Sequence, residues 1–450
     1  MFRFWDTLDL PGRDRLTAQL AAFDFDSLAD LADLARSDTR ASIPDDLAPA
    51  PVVPLPQTEA ELAEAAEAWR AGEEALRAGR AAVLVVAGGQ GTRLGWAGPK
   101  GAYPIGPVSG HSLFQIHAEK VVAARRRYGA AIPLLIMTSP ANDRETRDFL
   151  AARDRFGLPE RDVIVFAQGT MPVTDGAGRL LLDAPDHVAE SPNGHGGVFA
   201  ALESNGVIAD LRRRGIDLIS YIQVDNALVR AVDPVFIGRH VLAAAAMSSK
   251  VCRKRDADEG VAVVGRTGGR LRVIEYSDLP DRLKYARRPD GRLLYEMGSI
   301  AIHILSLDFV DRMAQAGALP FHVASKRVPH LDETGRRVEP AEPNGVKFEM
   351  FVFDALHDAP ESVTMETARE EEFAPLKNAE GADSPETVRQ AIIDRSARWL
   401  ERAGVPVPRD GTGRPAVPIE IAPVAAACAD DLAGWSFDGI DFSGPVYLRE

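Results

Sequence analysis

At 450 residues the chain exceeds the length at which a single hydrophobic core usually stops growing, so two or three domains are expected. Apolar residues make up 46% and charged residues 26%, a globular balance, and apolar runs such as 81–87 and 134–137 fall far short of the roughly 20 residues that cross a bilayer. A formal charge of −14, with no Lys/Arg run interleaved with aromatics, argues against nucleic acid and anionic membranes as partners.

The opening MFRFWDTLDLPGRDR mixes acidic and basic residues where a secretory signal would be apolar. Only Cys252 and Cys428 occur, too few and too distant for a disulfide framework, so reduced thiols and a cytoplasmic small-molecule enzyme are expected. The first 45 residues carry Leu, Ala and Asp at helical spacing and predict short amphipathic helices. APAPVVPLP, from Ala48 to Pro56, reads as an extended linker. Thr58 and Glu61 stand at capping-box spacing and start a helix over 58–79.

From Ala81 short apolar runs alternate with helical stretches. Strands are predicted at 81–87, 133–138, 162–166 and 217–224, and helices at 113–128, 143–155 and 197–214. The three arginines Arg125, Arg126 and Arg127 suit the C-terminal end of their helix. This alternation predicts an α/β domain with a largely parallel, covered sheet. A hairpin follows around Thr267-Gly268-Gly269, a helix at 384–403, and a Pro- and Gly-rich tail forming a small β appendage. The chain divides into an N-terminal helical part with its linker (1–80), a central domain (81–383) and a small C-terminal domain (384–450).

The most informative local signal is Ala87-Gly88-Gly89-Gln90-Gly91-Thr92-Arg93-Leu94-Gly95, followed by Pro99-Lys100-Gly101. It stands directly after an apolar strand, at the edge where open α/β sheets bind ligands. Glycines let backbone N–H groups approach phosphate oxygens, while Arg93 and Lys100 bring two cations to the same loop. A Walker A loop would end in Gly-Lys-Ser/Thr, and a dinucleotide loop would carry glycine at position 94. Neither pattern is present, and two cations are more than a plain strand-to-helix turn requires.

AGGQGTRLG with the following PKG resembles the nucleotide-binding motif of the eukaryotic-type UDP-sugar pyrophosphorylases, most closely the UDP-N-acetylglucosamine (UDP-N-acetylhexosamine) branch. Matching stretches recur in order: SLFQIHAEK from Ser112, Gln168-Gly169, VDNALV from Val224, DPVFIG from Asp233, VIEYSD from Val273 and GRLL from Gly291. PNGVKFEMFVFD from Pro343 and EEFAPLKNA from Glu371 complete the series. The resemblance implies a Rossmann-like, glycosyltransferase-A type nucleotide-binding domain with an N-terminal helical domain and a small C-terminal β-containing domain. It also implies an enzyme that joins UTP and a sugar 1-phosphate, with Mg²⁺ as cofactor, releasing a UDP-sugar and pyrophosphate.

Site roles follow from the same resemblance. Gly88, Gly89, Gln90, Gly91 and Thr92 would hold the nucleotide phosphates, with Arg93, Lys100 and Lys377 as the catalytic cations. Asp225, at the end of an apolar run, matches the metal ligand; hard Mg²⁺ favours one or two carboxylates beside phosphate oxygens and water. Gln168 matches a residue that reads uracil, as an amide with one donor and one acceptor can. The second glycine loop, Ser191 to Gly197, would contact uridine through Gly194 and sugar through His195. Glu275 and Tyr276 match a sugar-contacting pair, and Lys347 and Glu349 fall near the site without an assigned step.

Two positions depart from the branch. It has Asp-Gly-Asn-Gly-Gly where this chain has Asn193-Gly194-His195-Gly196-Gly197, and Ala-Gly-Asn-Ile where this chain has Met297-Gly298-Ser299-Ile300. Gly-His-Gly is similar instead to UDP-glucose and broad-specificity enzymes. Loss of asparagines near the sugar, with the shorter Ser299 in one place, implies relaxed selectivity for the acetamido group. Other readings are a UDP-glucose pyrophosphorylase, a metal-dependent glycosyltransferase and a non-catalytic UDP-sugar-binding protein. The sequence leaves the oligomeric state open.

Overall fold

The computed structural model describes residues 1–36, 43–317 and 319–449. The N-terminal helical expectation therefore lies partly outside the described residues, at 37–42. Within them α1 (Leu10–Ala21) and α2 (Phe25–Arg36) form as expected, and α3 (Glu59–Arg77) starts from a capping box in which Thr58 and Glu61 satisfy each other's backbone.

A ten-stranded mixed sheet organises the molecule. Its parallel half comprises β1 (Ala81–Val86), β2 (Leu134–Thr138), β3 (Val163–Ala167) and β4 (Leu218–Gln223). β1 lies between β2 and β4, and β3 is the edge beyond β2. All six side chains of β1 are buried. Ala81, Val83 and Val85 enter one core, and Ala82, Leu84 and Val86 enter the other. That two-sided burial is why the run is uniformly apolar instead of alternating.

The first core is covered by α4 (Leu113–Tyr128), capped by Ser112 and closed by left-handed Gly129, and by α8 (Pro234–Leu242). The second lies under α6 (Val198–Ser204), α7 (Val207–Arg213) and α9 (Leu307–Ala316). α5 (Asp143–Ala151) packs against β3. α3 rides on α8 so closely that a Cβ at Gly72 would lie 1.8 Å from the Pro234 carbonyl oxygen. The packing needs the missing side chain.

Several expectations need correction. The sheet is only half parallel: β8 (Met297–Ser306) runs antiparallel to β4 and to β5 (Met247–Arg253). The hairpin forms as β6 (Val263–Thr267) and β7 (Arg270–Ile274). The stretch read as a free linker joins the sheet, with Ala48–Pro49 paired to β6 and Val53 bridged to Met365 of β10 (Thr364–Glu366). Proline is tolerated there because it sits on an edge. The helix expected over 197–214 is two helices, broken where Gly206 turns left-handed at φ +69. The one expected over 143–155 ends at Ala151.

The tail forms a parallel pair, Ile419–Ile421 with Val446–Leu448. α10 (Pro385–Arg402) belongs to two cores at once. Val388 and Ile392 enter the first sheet core, while Ala397, Trp399 and Leu400 build the C-terminal one. Cys252 and Cys428 are free, and among the described residues no helix is long and apolar enough to span a membrane.

Candidate active site

The first glycine loop leaves the C-terminal end of β1 and is clasped from behind. Asn142 Nδ2 donates to the Ala87 carbonyl at 2.8 Å and to that of Gly89 at 3.2 Å, and Ser139 Oγ donates to Gly88 O at 2.8 Å. Gln90, expected to face the nucleotide, donates from Nε2 to Ala141 O at 3.1 Å and so helps fix the loop. Carbonyls are thus consumed on the protein side. A Cβ at Gly89 would meet only Lys100 Cε, at 3.8 Å. Gly89 is exposed, and the space beside it is open. Gly88 differs, because a Cβ there would lie 2.4 Å from Gln168 Nε2. The predicted uracil reader therefore rests on the predicted phosphate loop. Among the described residues Gln168 Oε1 is buried with no partner, an acceptor awaiting a donor.

Lys100 Nζ stands 3.2 Å from Asp225 Oδ2, with both side chains about one-fifth exposed. Asp225 follows β4, as expected, and is fixed through its neighbours. Its carbonyl accepts from Leu376 N at 2.9 Å, and Asn226 clamps the same segment through Glu372 O at 2.7 Å and Ala374 N at 3.1 Å. This brings Lys377 beside Asp225. Lys377 and Arg93 are exposed, and among the described residues neither side chain makes a hydrogen bond or ion pair. They are free cations at the loop edges.

Beneath the clamp lies an arrangement the sequence did not announce. Lys250, in the middle of β5, is fully buried between Asp233 Oδ2 at 2.6 Å and Glu372 Oε1 at 2.5 Å. Thr367 Oγ1 also donates to Glu372 Oε1 at 2.8 Å, and Arg230 N to Oε2 at 3.1 Å. Burial alone would lower the Lys250 pKa, but the two carboxylates outweigh it and hold the ammonium above its ordinary value. The one sequence signal was a lysine inside the otherwise uncharged MSSKVC.

The second glycine loop is fitted against protein. Gly194 has φ +85 and ψ 168, and a Cβ there would lie 2.4 Å from the Met350 carbonyl oxygen, at the end of β9 (Gly345–Met350). Gly196 would meet the Met350–Phe351 backbone at 2.7 Å. This also places the PNGVKFE stretch at the site, with Glu349 Cβ 3.1 Å from that same Gly194 position. His195 stacks on Phe351 at 5.2 Å, and its Nδ1 accepts from Val352 N at 3.1 Å, leaving Nε2 to carry the ring proton. Burial, then nearby His322, lowers its pKa to about 4, so the ring is neutral. Asn193 Oδ1 is a second buried acceptor without a partner.

At Glu275, expected to contact sugar, burial and Asp278 raise the pKa, opposed by His322 and Lys377. Glu275 and Lys377 therefore share one electrostatic neighbourhood. Tyr276 is exposed, its ring against Gly260. Ser299 lies on β8 beside an irregularity: its register with β5 shifts between Lys250 and Val251, and Ala301 adopts φ +54. Such bulges re-aim the side chains that flank them.

The family model for UTP–glucose-1-phosphate uridylyltransferase matches residues 45–410. The chain is 36% identical to the human UDP-N-acetylhexosamine pyrophosphorylase-like protein 1, over 100% of its own length and 94% of that protein. It is 37% identical to the Saccharomyces cerevisiae UDP-N-acetylglucosamine pyrophosphorylase, over 84% of its length and 81% of the yeast enzyme. Among solved structures, the inhibitor complex of the Trypanosoma brucei UDP-N-acetylglucosamine pyrophosphorylase superposes with a TM-score of 0.82 at 27% identity, covering 98% of this chain and 94% of that one. A Leishmania major UDP-glucose pyrophosphorylase, at 16% identity and TM-score 0.63 over 86% and 80% of the chains, shares the fold. The chain is an enzyme of the nucleotidyltransferase class and belongs to the UTP–glucose-1-phosphate uridylyltransferase family of UDP-sugar pyrophosphorylases.

Proposed function

We propose that the enzyme joins UTP to N-acetylglucosamine 1-phosphate, with relaxed discrimination against glucose 1-phosphate. The observation that carries the reaction is the convergence, at the C-terminal ends of neighbouring parallel strands, of an open Gly89, the Lys100–Asp225 pair and the unsatisfied Gln168 oxygen. The acetylated sugar is favoured because relatives matched over most of the chain carry that activity in their names.

The nucleophile needs no activation by proton removal, since the oxygen of a sugar 1-phosphate is already anionic. It attacks the α-phosphorus of UTP, the bond to the bridging oxygen breaks, and pyrophosphate leaves. Catalysis then rests on alignment and on charge placed before the reaction begins. Lys100, Arg93 and Lys377 counter the repulsion between two polyanions, and Gln168 offers its unpaired oxygen to the base edge.

The donor set fits Mg²⁺ in one specific sense. Among the described residues no three His, Cys, Asp or Glu side chains gather into a cage, so Asp225 would hold an ion whose other ligands are phosphate oxygens and water. Bound there, the ion supplies charge neutralisation on the phosphates.

Ser299 and His195 stand in the sugar reading as the two departures from the asparagines of the branch. A lost amide contact is worth on the order of 1–3 kcal/mol, roughly 5- to 150-fold in discrimination. The test is pyrophosphate release from UTP with each sugar 1-phosphate, for wild type and for His195→Asn combined with Ser299→Asn. Comparable kcat/KM values in wild type, tilting towards the acetylated sugar in the double variant, are expected. A wild-type ratio above about 10⁴ would remove these positions from selectivity. No pyrophosphate with any sugar, alongside tight UDP-sugar binding, would instead identify a non-catalytic binding protein.

A further inference from the structure

A cavity of about 380 Å³ lies between the second half of α4, the 228–232 segment, α10 and the 421–431 segment of the C-terminal part. No member of the phosphate loop, and neither Asp225 nor Lys377, lines it. Its charge is unusual for a protein of net −14: Lys120, Arg126, Arg127, Arg230 and Arg395 face it, against the single carboxylate of Asp431. That carboxylate is already paired with Arg127. A surplus of positive charge is thus concentrated in one concavity.

Two of these cations are incompletely hydrogen-bonded. Among the described residues, Arg230 Nε and Arg395 Nε are both buried without a hydrogen-bond partner. The nearest carboxylate to Arg230 lies 3.6 Å away, at Asp233. Lys120 Nζ has one acceptor, the Ala227 carbonyl at 2.7 Å, and Arg395 Nη1 has two, Leu228 O at 2.7 Å and Glu371 O at 3.1 Å. Burial, and next the charge of Arg395, push the Lys120 pKa well below its ordinary value. The two groups repel each other, and the carboxylates of Glu371 and Glu372 offset that charge only in part. Tyr128, Trp399, Val424 and Leu228 supply the apolar and aromatic part of the lining, with the Arg395 guanidinium 4.8 Å from the centre of the Trp399 ring.

We propose that this cavity is a second binding site that takes a small organic phosphate, its phosphate on Lys120, Arg230 and Arg395 and its organic part against Tyr128 and Trp399. Guanidinium forks match phosphate geometry, and a cavity of this size suits a ligand of metabolite dimensions. Its occupant also bears on catalysis. The carbonyls that Lys120 and Arg395 grip belong to Ala227, Leu228 and Glu371, which flank Asp225 and the segment leading to Lys377. A bound phosphate relieves the repulsion and tightens those grips, so ligand at this site stabilises the positions of Asp225 and Lys377.

The test is calorimetric titration of the full chain with glucose 6-phosphate and with AMP, and with inorganic phosphate as the head-group probe. The two esters distinguish a sugar-phosphate source from a nucleotide source, and binding of either supports the site. Saturable binding of one ester per chain is expected, tighter than inorganic phosphate. Arg395→Gln and Lys120→Met should each weaken it about tenfold or more, the scale of a lost charge-assisted contact, while Arg93→Ala leaves it unchanged. If either variant fails to fold, Val424→Trp fills the cavity without removing a charge and should abolish binding. Absence of saturable heat for all three probes up to about 10 mM overturns the proposal. So does binding that Arg395→Gln and Val424→Trp leave intact, or that Arg93→Ala abolishes, since the ligand then sits elsewhere.

Discussion

The two glycine loops look alike in sequence and owe their glycines to different neighbours. In the first, Gly89 faces open space, with only Lys100 Cε within reach at 3.8 Å. In the second, a Cβ at Gly194 or Gly196 would lie only 2.4 or 2.7 Å from the backbone of Met350 and Phe351. At Gly89 the first loop leaves room that the protein does not fill, although Gly88 and Gly91 beside it are fitted against Gln168 and Trp96. The other makes room for the protein's own strand, and so presents His195 and Asn193 from a rigid seat. A Gly-rich stretch is therefore evidence of close approach, and only the structure says what approaches.

Substitutions separate the two causes. The largest effect is expected at the cation of the open loop: Lys100→Ala should lower turnover roughly 10²–10³-fold with the fold intact, the scale of one preorganised transition-state contact. Steady-state pyrophosphate release checks this, and near-normal turnover would remove Lys100 from the machinery. In the seated loop the loss falls on stability. Gly194→Ala must occupy φ +85 with ψ 168, essentially a glycine-only region, against a backbone oxygen. A destabilisation of about 3 kcal/mol or more is expected by denaturant titration. A Gly194→Ala variant as stable as wild type would show that the strand yields.

Acid should sharpen the contrast further. His195 is neutral in the folded protein, with a pKa lowered to about 4, whereas the unfolded chain takes up its proton near the ordinary 6.5. Between those values the unfolded state binds more protons. Stability should therefore fall as pH drops from 6.5 towards 4, by up to about 1.4 kcal/mol per unit from this residue. Urea midpoints at successive pH values, for wild type and His195→Asn, measure it; equal acid losses in both would refute it. The smallest effect belongs to Gly89→Ala. Its stability should stay within about 0.5 kcal/mol, because nothing is displaced, while kcat/KM for UTP falls about tenfold as a methyl enters the ligand's space. Full activity in that variant would mean that the open room is not the nucleotide's.

Much of the scaffold was legible because its signals are local. The helix expected over 113–128 forms with those bounds as α4, and Thr58 with Glu61 set the start of α3. The uniformly apolar AAVLVV marked a strand buried on both faces. What escaped was long-range. Nothing near Ala48 or Val53 says that a proline-rich stretch will extend a sheet, and Gly206 alone does not say whether a helix bends or breaks. At the site, residue types were legible while contacts were not. Gln168 and Gly88 were named separately, yet their packing depends on the crossing of two strands' ends. Gln90 was assigned to the nucleotide, but its amide holds Ala141.

The Lys250 trio has a consequence for how this sequence can change over time. One ammonium and two carboxylates, contributed by positions 17 and 122 residues away from the lysine, sit in a core without solvent to absorb an imbalance. With the Arg230 guanidinium 3.6 Å from Asp233, two cations balance two carboxylates, and neutralising any one member of the trio leaves a buried charge uncompensated, at a cost of about 3–5 kcal/mol, a large share of a typical protein's net stability. Replacing all three by well-packed apolar residues could be nearly neutral by the same physics. The intermediate single steps form a valley, so Asp233, Lys250 and Glu372 are inherited as one unit. Because Glu372 anchors the segment that carries Lys377, a drift in core chemistry cannot proceed independently of the sheet edge where Asp225 and Lys377 stand.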